Sequence, residues 1–162
     1  MPIIRPCVPA DGAAVAALIL PIQQAEFGIP ITLADQPDLA DIHGCYQHGR
    51  GNFWVAEADG RIVGTIALQD IGQGQAALRK MFVAQPWRGR EHGVAQRLLD
   101  TLLDWAAGHG LSHIYLGTTA QFLAAHRFYE KNGFDQIDPA ELPPAFVRMA
   151  VDTRFYRLPL RR

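Results

Sequence analysis

The chain is short of three things, and each shortage removes a class of function. Charge imbalance is the first: fifteen Lys and Arg stand against sixteen Asp and Glu, a formal net charge of −1. A nucleic-acid binder carries a basic stripe, whereas here the cations are spread along the chain, with only Arg88 and Arg90 crowded near a motif. No nucleic-acid partner is expected. Cysteine is the second: Cys7 and Cys45 have neither CxxC spacing nor histidines at metal-ligand spacing. That pattern suggests no disulfide framework and implies no metal, and it fits free thiols in a reducing cytoplasm. Long apolar runs are the third. No stretch approaches the roughly 20 apolar residues of a membrane span, and Met1–Pro6 lacks the apolar core of a signal peptide. The expectation is a cytoplasmic protein with no membrane association. Two nucleotide signatures are missing as well: there is no GxxxxGK[ST], and no GxGxxG follows the first strand.

What is present is a chain of 162 residues, 49% apolar and 19% charged, the size and composition of one globular domain. A short strand at Ile3–Arg5 precedes a helix capped by Asp11, with Val15, Leu18, Ile19 and Ile22 on one face and Pro21 ending or bending it. Phe27–Gln36 reads as loop. A second helix follows Pro37, carrying Leu39, Ile42 and Tyr46 at helical spacing. Phe53–Glu57 and Arg61–Leu68 are β-rich runs joined through Asp59-Gly60, a hairpin signal. Ala76–Val83 is the next strand. A helix from about His92 to Ala107 presents Val94, Leu98, Leu102 and Trp105 and stops at Gly108 and Gly110. Ile114–Thr118 is then a strand, so strand, helix and strand imply a right-handed crossover between parallel strands. A further helix runs from about Ala120 to Lys131 and stops at Asn132-Gly133. Phe134–Ile137 as a short strand, a Pro-rich loop over Asp138–Ala145 and a last strand region over Phe146–Leu158 complete the chain.

The chemistry is concentrated at the junction Arg88-Gly89-Arg90-Glu91-His92-Gly93-Val94-Ala95, where a strand hands over to an amphipathic helix. The first N–H groups of a helix have no internal partner and sit at the positive end of its dipole, so successive amides there can surround phosphate oxygens. Gly89 and Gly93 allow tight turning and close backbone approach. Arg88 and Arg90 add attraction, Glu91 opposes it, and His92 is a surface position within reach of a phosphate. On spacing alone, the glycines read better as turn residues and the arginines as a solvated face, since short glycine motifs match often by chance.

This stretch resembles the pyrophosphate loop of the GNAT superfamily of acyl-CoA-dependent N-acyltransferases, [Q/R]-x-x-G-x-[G/A], which Arg90-Glu91-His92-Gly93-Val94-Ala95 matches. Leu78–Val83 is similar to that family's central strand, and Ala125–Phe134 to its second conserved segment, which carries a tyrosine near the thiol. The resemblance implies an α/β (α+β) fold: a single domain with a central mixed, mostly antiparallel twisted sheet flanked by helices. It implies acetyl-CoA as co-substrate, with Met81, Phe82 and Val83 offering backbone groups to the pantetheine and the acetyl oxygen, and Arg88–Ala95 holding the pyrophosphate. Tyr129 takes the place of the thiolate-protonating tyrosine, a phenol being able to protonate a departing thiolate at contact. Many members carry an asparagine seven residues before that tyrosine, in contact with the pantetheine arm. Here Phe122 stands there, leaving Thr118, Thr119 or Gln121 as replacements.

The implied reaction is N-acetylation of a primary amine, on a small molecule or a peptide, by direct attack on the thioester. Neither cysteine falls in the cofactor motifs, so no acyl-enzyme is suggested. His43, His48, Glu26 and Glu57 are weak candidates for the base, and His126 reads as solvent-facing or structural. The acceptor is open and a homodimer is compatible with the sequence. Two rivals stand beside this reading: a non-catalytic acyl-CoA sensor with the same fold, and a phosphate-binding regulatory domain.

Overall fold

The computed structural model describes residues 1–160 and organises them around one seven-stranded sheet. In chain order the elements are β1 (Ile3–Pro6), α1 (Gly12–Pro21), α2 (Pro37–Ala40), α3 (Ile42–Tyr46), β2 (Asn52–Ala58), β3 (Arg61–Gly72) and β4 (Gln75–Val83). They continue with α4 (Val94–Gly108), β5 (His113–Thr118), α5 (Leu123–Lys131), β6 (Asp135–Ile137) and β7 (Arg154–Pro159). The strand order is β1-β2-β3-β4-β5-β7-β6, and only β4 and β5 run parallel. This is the mixed, mostly antiparallel sheet that the motif order implied.

Local chemistry sets the turns. Asp59 and Gly60 both have positive φ, 52° and 76°, which is the two-residue turn whose twist matches flanking antiparallel strands. The α-helix ends at Pro21 as expected, but the chain does not pass straight into a loop: it widens into a π-helical turn over Ile22–Glu26, with the Phe27 amide bonding the Ile22 carbonyl at 3.1 Å. Pro21 has no N–H to donate and crowds the preceding turn, and the wider winding accommodates both defects. Asp11 also differs from its expected role. It does not cap α1 but receives two bonds from Arg5, at 2.8 and 3.0 Å, and one from the Val8 amide. The single helix expected after Pro37 is two short ones, broken at Asp41, whose side chain accepts from the Gly44 amide to start α3.

Helix α4 buries Val94, Leu98, Leu99, Leu102 and Ala106 against β2, β3 and Leu111 in the main core. Trp105 lies at the edge of that face, donating from Nε1 to the Arg50 carbonyl at 2.8 Å with His109 stacked on it. Gly64 on β3 lets the helix approach, since a Cβ there would meet Leu98 at 3.0 Å and Val94 at 3.3 Å. A smaller core on the opposite sheet face joins α1, α2 and α3 through Val15, Ile19, Leu39, Ile42 and Tyr46.

Candidate active site

Two features of β4 create the site. The first is that β4 and β5 pair only over Gln75–Ala77 and His113–Tyr115. From Leu78 onward the strands diverge, so this edge of β4 faces an opening instead of a strand. The second is a bulge: Thr65 pairs with Phe82 but Ala67 with Arg79, which inserts one extra residue into β4, and Lys80 takes the left-handed conformation at φ 53°. The Thr65 hydroxyl steadies the bulge by donating to the Lys80 carbonyl at 2.7 Å. A regular strand sends successive side chains to opposite faces. The bulge breaks that alternation, and Arg79, Lys80, Met81, Phe82 and Val83 all line one cavity.

That cavity is about 820 Å³. Arg88, Gly89, Ala95, Gly117–Thr119, Tyr129, Met149 and Asp152 are among the residues that line it. The phosphate-loop expectations can be followed residue by residue. Gly89 and Gly93 have φ of 105° and 63°, conformations that glycine adopts without penalty. Gly93 is the N-cap of α4 and lacks a side chain to bond the first amides. The His92 and Gly93 amides bond back to the Gly89 carbonyl, whereas those of Val94, Ala95 and Gln96 have no backbone partner. Three adjacent donors thus stand free at the positive end of a fifteen-residue helix. Arg90 and Glu91 are exposed, and His92 is half-buried with its ring edge-on to Trp87. Arg88 is committed elsewhere: it donates from Nε to the Val83 carbonyl at 2.8 Å and forms a bidentate pair with Glu26, which draws the Glu26 carboxyl below its ordinary value. Its charge is therefore largely compensated, and Arg90 is the exposed cation of the loop.

Tyr129 is 6% exposed, packs against Phe134 and Tyr156, and borders the cavity. Its hydroxyl has no hydrogen-bond partner among the described residues. Burial pushes the phenol well above its ordinary pKa, so it stays protonated. Phe122 meets Phe27 edge-on at 4.7 Å and lies 6.2 Å from Phe82, forming an aromatic wall where an amide side chain was expected. Beside it the Thr119 hydroxyl is buried and unpartnered. His126 is a structural residue, buried, with Nε2 bonded to the Thr119 carbonyl at 2.8 Å. Thr119 is thereby held to α5.

None of the four base candidates borders this cavity. Glu26 is paired with Arg88 and Glu57 with Arg5 at 2.8 Å, while His43 and His48 are exposed. The cavity instead contains charged groups that sequence patterns did not reveal. Lys80, its side chain 10% exposed, contacts the Gln36 amide oxygen at 2.5 Å and Asp38 at 3.6 Å, and burial lowers its pKa against the pull of Asp38. Asp152 is raised by burial, with the Met149 amide and the nearby Arg79, Lys80 and Arg148 pulling the other way. No group of three or more metal-ligating side chains occurs among the described residues, and no helix there is long and apolar enough to cross a membrane.

A diverging parallel strand pair, an unpartnered helix N-terminus and a phenol bordering one cavity define an acyl-CoA-type transferase architecture. The model of the acetyltransferase (GNAT) family matches residues 17–134, and the chain belongs to that family. Among its relatives is the human N-acetylaspartate synthetase, 36% identical over 76% of this chain and 44% of the relative. Another is the uncharacterised N-acetyltransferase YjgM of Escherichia coli K12, 30% identical over 86% of this chain and 85% of the relative. The chain spans about half the length of most curated relatives it matches. A solved GNAT-family acetyltransferase from Staphylococcus aureus Mu50 superposes with a TM-score of 0.96 at 36% identity, over 99% of this chain and 100% of that one.

Proposed function

We propose that the protein is an N-acetyltransferase that moves an acetyl group from acetyl-CoA to a primary amine by direct attack. The observation that carries this reading is the run of free amides at Val94, Ala95 and Gln96, of which Ala95 lines the cavity that Tyr129 also borders. In this reading Arg88–Ala95 holds the pyrophosphate, with Arg90 adding charge. The pantetheine lies in the opening between β4 and β5, where Met81, Phe82 and Val83 offer backbone groups to it and to the acetyl oxygen. The amine attacks the carbonyl carbon, the C–S bond breaks, and Tyr129 delivers its proton to the sulfur. Burial keeps the phenol neutral and ready to donate, and holding the two reactants side by side supplies most of the acceleration.

Family membership, the match to the S. aureus acetyltransferase and the names of the relatives support acetyl as the group transferred. The N-acetylaspartate synthetases are named for an amino-acid product, which places small amino acids first in an acceptor panel. The test is calorimetric titration with acetyl-CoA, CoA and ATP, followed by thiol release with a panel of amines. Selective acetyl-CoA binding with amine-dependent thiol release is expected. Binding without turnover on any amine would make the chain a sensor, and equal binding of ATP would remove the coenzyme assignment.

A further inference from the structure

The cavity has six charged side chains on its wall: Asp35, Asp38, Arg79, Lys80, Arg88 and Asp152. Four are satisfied. Asp35 is exposed, so water solvates its charge while it accepts from the Thr32 amide and hydroxyl; Asp38 accepts from Tyr46 with Lys80 beside it, and Arg88 is paired with Glu26. Arg79 and Asp152 are the exceptions. Arg79 has only neutral partners: Nε donates to Gln69 at 3.0 Å, Nη2 to the Val147 carbonyl at 2.7 Å, and its face lies 4.8 Å above the Phe146 ring. Asp152 receives one bond, from the Met149 amide at 3.3 Å, and rests against Gly117, where any Cβ would sit 2.5 Å from its Oδ2. No ion pair within 4 Å involves either residue among the described residues.

Removing a charge from water is costly unless a counter-charge replaces the lost hydration. Here two opposite charges line one cavity, each fixed by its own scaffold and neither in an ion pair with the other. A zwitterion is the ligand that completes both. A purely cationic amine would meet Arg79 and Lys80 with no anion to offer, and a neutral amine would leave Arg79 uncompensated. The phosphate loop does not account for Arg79, because it lies four residues before Val83, about 13 Å along the strand, and further still from Arg90.

We infer that the acceptor is an amino acid or another carboxylate-bearing amine, whose carboxylate is bound by Arg79 and whose ammonium is held and deprotonated by Asp152. This rests on the acetyltransferase reading above. In the step, the ammonium gives one proton to the Asp152 carboxylate, which passes it to water. The freed lone pair forms the C–N bond as the C–S bond breaks. Tyr129 protonates the sulfur, and the second N–H proton, lost from the adduct through water, restores the phenol. The products are the N-acetyl amino acid, CoA thiol and one proton in solution.

The test compares acids with their amides: glycine, L-alanine and L-serine, each against its α-carboxamide, which carries no other carboxylate, with acetyl-CoA and thiol release as the readout. The amide's amine is the less basic and so the more available nucleophile, which makes intrinsic reactivity favour the amide. The expected kcat/KM nevertheless favours the acid by roughly 10- to 100-fold, the value of a charge-assisted hydrogen bond. Arg79→Gln should bring that ratio near one, mainly through KM of the acids, and Arg79→Lys should restore part of it. Asp152→Asn keeps an acceptor for the Met149 amide and should lower kcat on every acceptor by about 10²-fold while acetyl-CoA affinity holds. Amides used as well as acids, a ratio unchanged in both Arg79 variants, or wild-type kcat in Asp152→Asn would each overturn the inference and leave the transferase reading standing. Absence of thiol release with every acid and amide would overturn both.

Discussion

Replacing Tyr129 by phenylalanine separates chemistry from packing, because the ring packs in the core while the proposed reaction uses only the hydroxyl. The ring is 6% exposed and contacts Phe128, Phe134 and Tyr156 at centroid distances of 5.6 to 6.1 Å, all of which phenylalanine preserves. The hydroxyl has no protein partner, so its removal breaks no hydrogen bond and relieves part of a desolvation cost of about 1–3 kcal/mol. Thermal stability should hold or rise slightly, and acetyl-CoA affinity should change less than threefold. Turnover should fall about 10²-fold, at the lower end of what a positioned general acid contributes. Because burial raises the phenol's pKa, wild-type kcat should show no loss from Tyr129 ionisation through neutral and mildly alkaline pH. The deficit of the variant should shrink at high pH, where the thiolate departs without a proton. The assay is kcat by thiol release across pH, with calorimetric acetyl-CoA affinity and a melting curve on the same samples. Equal turnover near pH 7, with chemistry shown to be rate-limiting, would remove Tyr129 from the mechanism.

Other perturbations test other parts of the argument. Gly93→Val forces a β-branched residue into φ 63°, which should cost about 1–2 kcal/mol of stability and weaken acetyl-CoA binding at least roughly tenfold by calorimetry. Raising salt should weaken acetyl-CoA binding, and Arg90→Gln should flatten that dependence more than Arg88→Gln, because Arg88 is already paired with Glu26. Leu98→Ala in the fully buried face of α4 should cost about 2–5 kcal/mol in denaturant unfolding. The Arg5 guanidinium draws Asp11 below its ordinary pKa, so this pair's stabilisation is complete above the unfolded carboxyl value and is lost as pH falls through the lower folded value. Asp11→Asn should therefore cost on the order of 1 kcal/mol at pH 7 and flatten the acid limb of the stability curve.

Linear signals made much of this protein legible. Asp59-Gly60 set a hairpin because only positive φ at both positions matches the twist of the strands it joins. The spacing of Val94, Leu98 and Leu102 marked the buried face of α4 because a helix repeats every 3.6 residues. Glycines at 89 and 93 marked a tight turn into α4, and both adopt the positive φ that their identity permits. All three are consequences of neighbours within a few residues. The pairing of Arg88 with Glu26, 62 positions away, the bulge at Lys80 and the setting of Asp152 against Gly117 left no such trace. They arise because a strand from mid-chain, a π-widened helix from the N-terminal part and a loop from the C-terminal part meet at one opening in the sheet. The sequence alone determined most of the elements, their order and the glycines of the loop before α4, whose conformation resides in contiguous backbone. Which charges are paired and which are not was decided only when tertiary packing brought distant side chains within the few ångströms over which ion pairs and hydrogen bonds form.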